Sequence, residues 1–157
     1  AVSQPHFIAE RGDAYRRDVT LEDRRWLYRL RGLRAAGVGL AAGSDAPFGG
    51  LNPWASMAAA VQRPDDLGPD EVLTPEEALA LYTGQPHAPA VPRKIAVGER
   101  ADLCLIDRHW AAARADLAAV TVRATWVAGR LVYGTIASTN PHSSASGAEM
   151  RRIDSAI

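Results

Sequence analysis

The sequence predicts an α/β fold over residues 1–90 and a small antiparallel β region over residues 91–137. In the first part, short apolar runs without polar alternation stand between helical patterns, as in parallel sheets that are covered on both faces. Beyond residue 90 the hydrophobic period becomes that of strands, and two strand-like runs flank a turn that contains glycine. Residues 138–157 are dominated by small, polar and charged side chains, so we expect a flexible tail there.

The N-terminal residues are typical of the end of a strand that breaks at Pro5. Because a natural chain rarely starts inside a strand, we expect these residues to be part of a longer protein. Ile8–Val19 is polar and irregular, and no regular element is predicted there. Thr20 is then a predicted N-cap, with Asp23 completing an approximate capping box, and the helical pattern that follows ends at Gly37.

The next elements have clearer signals. Val38–Ala42 is a short apolar run that predicts a buried strand, and it ends in the turn-rich loop Gly43–Gly50. Asn52–Pro53 predicts the start of a helix that continues to about Arg63. Thr74–Glu77 contains a full capping box with proline at the first helical position, and it predicts another helix.

The β region is predicted from three runs. Leu103–Asp107 has the pattern of one strand, and Val120–Val127 with Arg130–Tyr133 has the pattern of a hairpin that turns at Ala128–Gly129. Cys104 lies in the first of these runs, so we expect a buried, unreactive thiol.

Length and composition exclude several classes of protein. The 157 residues suffice for one ordinary domain but not for a closed eight-stranded α/β barrel, which needs roughly 200–250 residues. With 18 basic and 18 acidic side chains the net charge is zero, which argues against a nucleic-acid partner. The single cysteine excludes an internal disulfide framework and a cysteine-rich zinc site. No apolar stretch approaches the ~20 residues of a membrane span, so we expect a soluble, cytoplasmic protein without a membrane partner.

Asp45 is the strongest candidate for a chemical role. It follows a predicted buried strand, and active sites of α/β sheets and barrels lie at the carboxyl ends of strands. A carboxylate there can bind a metal and accept a proton from water. The alternative is a turn aspartate that binds its own backbone.

Gln4 and His6 come just after the first predicted strand and are expected to face the same rim as Asp45. The commoner role for a single histidine is a structural one, and this alternative stays open. No two histidines are spaced as ligands on one element, so the spacing predicts no complete metal site within the chain. Phosphate-loop, dinucleotide-binding and nucleophile-elbow patterns are also absent from the sequence.

Several segments in order resemble the metal-dependent amidohydrolases, particularly the branch that includes the N-substituted formamide deformylases. The likeness covers about residues 2–134 and includes Ser-Asp-Ala-Pro, Thr-Pro-Glu-Glu-Ala-Leu, Gly-Glu-Arg-Ala-Asp-Leu and Val-Ala-Gly-Arg motifs. The matching segments are Ser3–Phe7, Gly37–Pro47, Asn52–Pro53, Ala60–Arg63, Leu73–Leu79, Tyr82–Thr83, Gly98–Leu103 and Val120–Tyr133.

The resemblance implies a fold and a chemistry. Residues 1–90 would be the C-terminal portion of a TIM-type (β/α)8 barrel, its last two strands and helices, and residues 91–137 a segment of a small antiparallel β-sandwich. The family hydrolyses amide and other C–N bonds of small molecules with a metal-activated water. Asp45 would be a metal ligand and proton shuttle, and Gln4 and His6 would line the substrate pocket. The implied cofactor is a divalent metal, zinc in our expectation.

The same resemblance implies that the chain acts only as part of a complete enzyme. The family's other metal ligands come from strands that would precede residue 1, so we expect the chain alone to be inactive and to hold no metal. It would then pair with the missing barrel portion or self-associate, because two barrel strands leave open edges. The alternative is a truncated or split-gene remnant that folds as a non-catalytic structural module.

Overall fold

The computed structural model describes residues 1–135, and the predicted tail at 138–157 lies outside that range. Strands β1 and β2 pair in parallel, and between them the chain forms three short helices and a 3₁₀ turn. These elements are β1 (Val2–Ser3), α1 (Phe7–Glu10), α2 (Gly12–Asp18), the 3₁₀ turn Asp23–Trp26, α3 (Leu30–Ala35) and β2 (Ala41–Ala42). The parallel pairing and the helical crossover agree with the α/β prediction for this part of the chain.

The second half of the described chain contains three more helices, two 3₁₀ turns and five strands. They are α4 (Pro53–Val61), the 3₁₀ turn Pro69–Glu71, α5 (Pro75–Ala80), β3 (Gly84–Gln85), β4 (Ala88–Pro92), β5 (Leu103–Ile106), α6 (Trp110–Ala113), the 3₁₀ turn Leu117–Ala119, β6 (Val122–Val127) and β7 (Arg130–Gly134). Among the described residues the strands form three separate sheets, β1-β2, β3-β4 and β5-β6-β7.

The predicted irregular segment Ile8–Val19 is helical, so that prediction was wrong. Its residues complete α1 and form α2, separated at Arg11 where the backbone leaves helical geometry (φ −120°, ψ 13°). The polar pattern is explained by ion pairs on the outer face, since Arg16 binds Asp13 at 2.9 Å and Asp66 at 2.8 Å. Each helix is too short for a hydrophobic period to become visible in the sequence.

The single helix predicted from Thr20 to Gly37 is interrupted by an extended residue and a left-handed one. Asp23 N–H does donate to the Thr20 hydroxyl (3.2 Å), but the turn that follows is 3₁₀ and ends at Leu27. Tyr28 then has a φ of 48°, and the chain re-enters a helix at Leu30. The Arg63 guanidinium binds the carbonyls of Leu27 (2.7 Å) and Tyr28 (3.0 Å), which a continuous helix would have used internally.

Both predicted caps in the centre of the chain are confirmed. The Asn52 side chain accepts from the backbone N–H groups of Trp54 and Ala55 at the start of α4. Thr74 Oγ1 accepts from the Glu77 N–H (3.2 Å), and the Glu77 carboxylate accepts in return from the Thr74 N–H (2.9 Å). These two helices therefore begin where local hydrogen bonding fixes them.

The β region also follows the prediction, with one addition. Strands β5, β6 and β7 form an antiparallel sheet, and Ala128 and Gly129 both have positive φ at the tip of the β6–β7 hairpin. The added element is the β3–β4 hairpin, in a proline-containing stretch for which we predict no strand. Cys104 was expected to be buried but is exposed, because neither face of β5 is fully covered: its neighbour Leu105, on the opposite face of the strand, is also 46% exposed.

The main hydrophobic core lies between α3, α4, α5 and the segment between β5 and β6. Trp54 and Met57 of α4 are buried there against Leu30 and Leu81, and Leu117 joins them from the far side of residue 90. The core therefore takes residues from both predicted segments, 1–90 and 91–137. Within residues 1–135, every helix is too short or too polar to traverse a bilayer.

A buried carboxylate connects the 3₁₀ turn before α5 with the start of α3. Glu71 is only 9% exposed, and its Oε2 accepts from the Gly32 N–H at 2.7 Å while Oε1 faces the Arg29 guanidinium at 3.4 Å. Since Arg29 provides no side-chain cap for α3, Glu71 satisfies a helix N–H group from a distant part of the sequence.

The Thr74 cap can be tested by substitution. We expect Thr74→Ala to lower the free energy of unfolding by about 1 kcal/mol, because the Glu77 N–H loses its acceptor. Thr74→Ser keeps the hydroxyl and is expected to stay close to the wild type. Urea denaturation of the 157-residue chain, followed by circular dichroism, measures both. Equal loss in the two variants would contradict the assignment.

The Glu71 contact predicts a larger effect. Glu71→Ala leaves the Gly32 N–H and the Arg29 guanidinium without their partner, and we expect a loss of about 1–3 kcal/mol in the free energy of unfolding. Asp70→Ala, at the exposed neighbouring position in the same 3₁₀ turn, is the matched control and should cost much less. The same urea titration measures both, and a control that loses as much as Glu71→Ala would exclude the proposed role of this contact.

Candidate active site

The carboxyl ends of β1 and β2 meet at one edge of the parallel pair. The register places Val2 beside Ala41 and Ser3 beside Ala42, and the Gly43 N–H extends the pairing by donating to the Ser3 carbonyl at 3.0 Å. Side chains that follow the two strands therefore lie at a common rim, although they are far apart in sequence.

Asp45 is exposed on the loop that follows β2. Its φ of 52° is in the left-handed region, which aspartate tolerates better than most residues. A turn closes directly behind it, since the Phe48 N–H donates to the Asp45 carbonyl at 2.9 Å, and the Ala46 N–H donates to Ser44 Oγ at 3.3 Å. The first contact uses the backbone carbonyl of Asp45 and the second joins its two neighbours, so neither involves the carboxylate of this exposed residue.

His6 lies directly beneath this loop. It is 3% exposed, and both ring nitrogens are engaged: Nδ1 with Ser56 Oγ of α4 at 3.1 Å, and Nε2 with the Ser44 carbonyl oxygen at 3.1 Å. His6 and Asp45 thus lie at the same end of the strand pair, but the His6 ring is buried, and its expected role in the site stays a prediction. The ring contacts the residue before Asp45 rather than the Asp45 side chain.

Gln4, the third predicted site residue, is half-buried between β1 and α1. Its backbone carbonyl accepts from the Phe7 N–H at 3.1 Å and so begins the turn into α1. It shares the β1 end of the rim with His6, and its role in binding substrate stays a prediction.

Two further polar side chains contact the loop Gly43–Gly50 that carries Asp45 (the Asp45 loop), and no sequence pattern pointed to them. Arg11 donates to the Phe48 carbonyl at 2.9 Å, and its guanidinium lies 4.1 Å from the centre of the Phe7 ring. The Glu10 carboxylate accepts from the Gly50 N–H at 3.2 Å. Both belong to the segment that we expected to be irregular, so no helix position drew attention to them.

Tyr28 is also part of this neighbourhood and was missed because it was expected inside a helix. Its hydroxyl is 2.8 Å from that of Tyr15, and its ring packs at 6.2 Å from the ring of Phe7. Burial, together with the hydrogen bond to Tyr15, raises the pKa of Tyr28 well above its usual range, and the negative charge of Asp45 adds to the rise. Tyr28 therefore stays protonated near the rim and can donate or accept a hydrogen bond.

The donor set around the rim does not fit a metal ion held by these residues alone. Asp45 supplies a carboxylate, but His6 already uses both nitrogens, and Gln4 offers only an amide. Residues 1–135 contain no group of three or more His, Cys, Asp and Glu side chains placed to hold a metal. Catalytic zinc sites use three protein ligands, so one carboxylate is too few.

The chain is similar to hydrolases of known sequence and structure. Over 116 residues it is 34% identical to the N-substituted formamide deformylase of Arthrobacter pascens, an alignment that takes in 68% of this chain and 21% of that protein. The chain thus spans about one fifth of the length of this curated relative. The crystal structure of an uncharacterized metal-dependent hydrolase from Pyrococcus furiosus aligns with a TM-score of 0.45 and 38% identity, over 52% of this chain and 17% of that one.

A family-level comparison covers more of the chain. The sequence profile of the amidohydrolase family matches residues 1–133, which include both strands of the rim, Asp45, His6 and all but the last residue of the β5–β7 sheet. The resemblance inferred from the motifs is confirmed by this match. The chain belongs to the amidohydrolase family.

Proposed function

We propose that this chain supplies the C-terminal part of an amidohydrolase active site. The complete enzyme would hydrolyse amide or related C–N bonds of small molecules. The observation that carries the proposal is the position of Asp45 at the carboxyl end of β2, exposed at the rim of a parallel strand pair in a chain of this family. The relative from Arthrobacter pascens is named for N-substituted formamides, and we take that class of amide as the first substrate to test.

In the proposed reaction, Asp45 moves one proton. A water oxygen adds to the carbonyl carbon of the amide while the Asp45 carboxylate accepts a proton from that water. Asp45 then gives the proton to the amide nitrogen as the C–N bond breaks, so that one water and one amide become a carboxylic acid and an amine. The exposed carboxylate supports this role because substrate and water can both reach it.

We propose that the chain has the fold that its family implies. Strands β1 and β2 would be the last two strands of a (β/α)8 barrel, and the β5–β7 sheet would belong to the small sandwich beside it. The divalent metal, zinc in our proposal, would take Asp45 as one ligand and its other ligands from outside this chain. Gln4 remains the proposed boundary of the substrate pocket on the β1 side of the rim. His6 was expected to line the pocket as well, but it is 3% exposed and both of its ring nitrogens are bound, so we propose no substrate contact for it.

The role of Asp45 can be tested in the protein encoded by the complete reading frame that contains these residues. We expect Asp45→Asn to lower kcat for an N-substituted formamide by roughly 10²–10⁴-fold, because the amide cannot accept the proton. Asparagine tolerates the left-handed backbone at this position, so the loop should keep its shape. Steady-state release of the amine measures the rate.

Asp65→Asn is the matched control, because Asp65 is an exposed aspartate in the loop after α4. We expect this variant to hydrolyse the formamide at the wild-type rate. Wild-type kcat in Asp45→Asn, or an equal loss in the control, would contradict the proposed function.

A further inference from the structure

Three side chains from the segment after β1 contact the backbone of the Asp45 loop at three places. His6 binds the Ser44 carbonyl, Arg11 binds the Phe48 carbonyl and Glu10 binds the Gly50 N–H. The two contacts at Phe48 and Gly50 lie at exposed positions. The contact of His6 is the one that is largely shielded from water and adjacent to Asp45, so it is the one with the strongest hold on the position of that residue.

The chemistry of this contact fixes the direction of the hydrogen bond. A carbonyl oxygen can only accept, so Nε2 of His6 carries a proton and donates to the Ser44 carbonyl. In the neutral ring Nδ1 then accepts from the hydroxyl of Ser56, which is 2% exposed and belongs to α4. His6 thereby connects the backbone next to Asp45 to Ser56 of α4. The next residue of that helix, Met57, is part of the main core.

Gly49 allows the loop to approach the imidazole this closely. A Cβ atom at this position would collide with His6 Nε2 and with the Ser44 carbonyl oxygen, the two atoms of the hydrogen bond itself. It would also lie 2.9 Å from Cε1 of Phe7. A side chain at residue 49 would therefore have to push the loop and the imidazole apart.

We propose that His6 is a positioning residue for Asp45, holding the Ser44 carbonyl through Nε2–H while Ser56 holds Nδ1. The proposal rests on the proposed function, since it assigns Asp45 the proton transfer. It gives His6 an effect on the reaction rate that needs no contact with substrate. A direct contact of His6 with substrate would require one of its two hydrogen bonds to break.

Two substitutions distinguish the roles of the two imidazole nitrogens. In His6→Gln the side-chain amide can reach the position of Nε2 and donate to the Ser44 carbonyl, whereas in His6→Asn it reaches only the position of Nδ1. In the protein encoded by the complete reading frame, we expect His6→Asn to lower kcat by about 10²-fold with little change in KM, since a misplacement of about 1 Å costs that much. His6→Gln should recover most of the rate. A raised KM with unchanged kcat in either variant, or equal kcat losses in both, would overturn the proposal.

A second experiment uses the 157-residue chain and needs no activity. In ¹H–¹⁵N NMR spectra that report the imidazole nitrogens, we expect His6 Nε2 to carry the proton. Gly49→Ala should shift the His6 ring signals and increase the backbone mobility of residues 44–50, because the new methyl group separates the bonded atoms. Gly43→Ala is the control, because its Cβ would meet only Val2 Cγ1 at an ordinary 3.5 Å. An unprotonated Nε2, or loop mobility unchanged by Gly49→Ala, would overturn the proposal even if the His6 variants do not fold.

The two experiments also distinguish this proposal from the proposed function. If Asp45→Asn keeps its activity while the NMR results are as expected, His6 holds the loop but the loop does not carry the chemistry. If Asp45→Asn is inactive and His6→Asn keeps its kcat, the proposed function stands and the positioning role of His6 is wrong.

Discussion

The parallel pairing of β1 with β2 is the constraint on which the rest of the candidate site depends. Each strand has only two paired residues, so the pair draws support from contacts on either side. The Gly43 N–H binds the Ser3 carbonyl at 3.0 Å, and the Ala42 N–H binds the Leu81 carbonyl, beyond α5, at 3.0 Å. Because parallel strands end at the same edge, this pairing alone brings His6 and Asp45 to one rim. In an antiparallel pair the two would lie at opposite ends.

Helix α4 supports that rim through a hydrogen bond to His6. Helix α4 lies in the main core through Trp54 and Met57, and it presents Ser56 to the ring of His6. The connection therefore runs from the hydrophobic core through one hydroxyl and one imidazole to the backbone beside Asp45. A substitution that loosens the packing around α4 would therefore displace the Asp45 loop, even with the sequence of the loop unchanged. This is the physical link between stability and the proposed chemistry.

The sequence predicted the elements whose signals are local. Thr74 with Glu77, and Asn52 at the start of α4, are caps that depend on neighbours within three residues, and both are found. The position of Asp45 after a buried strand was also predictable, because strand and loop are adjacent. The resemblance to the family then assigned these local elements to successive parts of the family's fold.

What the sequence could not predict depends on distant partners. The helix expected from Thr20 to Gly37 is broken because Arg63, far along the chain, takes the carbonyls of Leu27 and Tyr28. Glu71, also distant in sequence, accepts a hydrogen bond from the Gly32 N–H in the first turn of α3. The contact of His6 with the Ser44 carbonyl belongs to this class too, since no spacing rule joins residues 6 and 44.

The most direct measurement of the central claim is chemical rescue in the protein encoded by the complete reading frame. Asp45→Ala removes the carboxylate, and because residue 45 is exposed, a small external carboxylate such as acetate can enter in its place. If Asp45 moves the proton, added acetate restores formamide hydrolysis in Asp45→Ala in proportion to its concentration and leaves the wild type unchanged. Wild-type activity in Asp45→Ala without acetate, or a loss that acetate at any concentration fails to reverse, would contradict the claim.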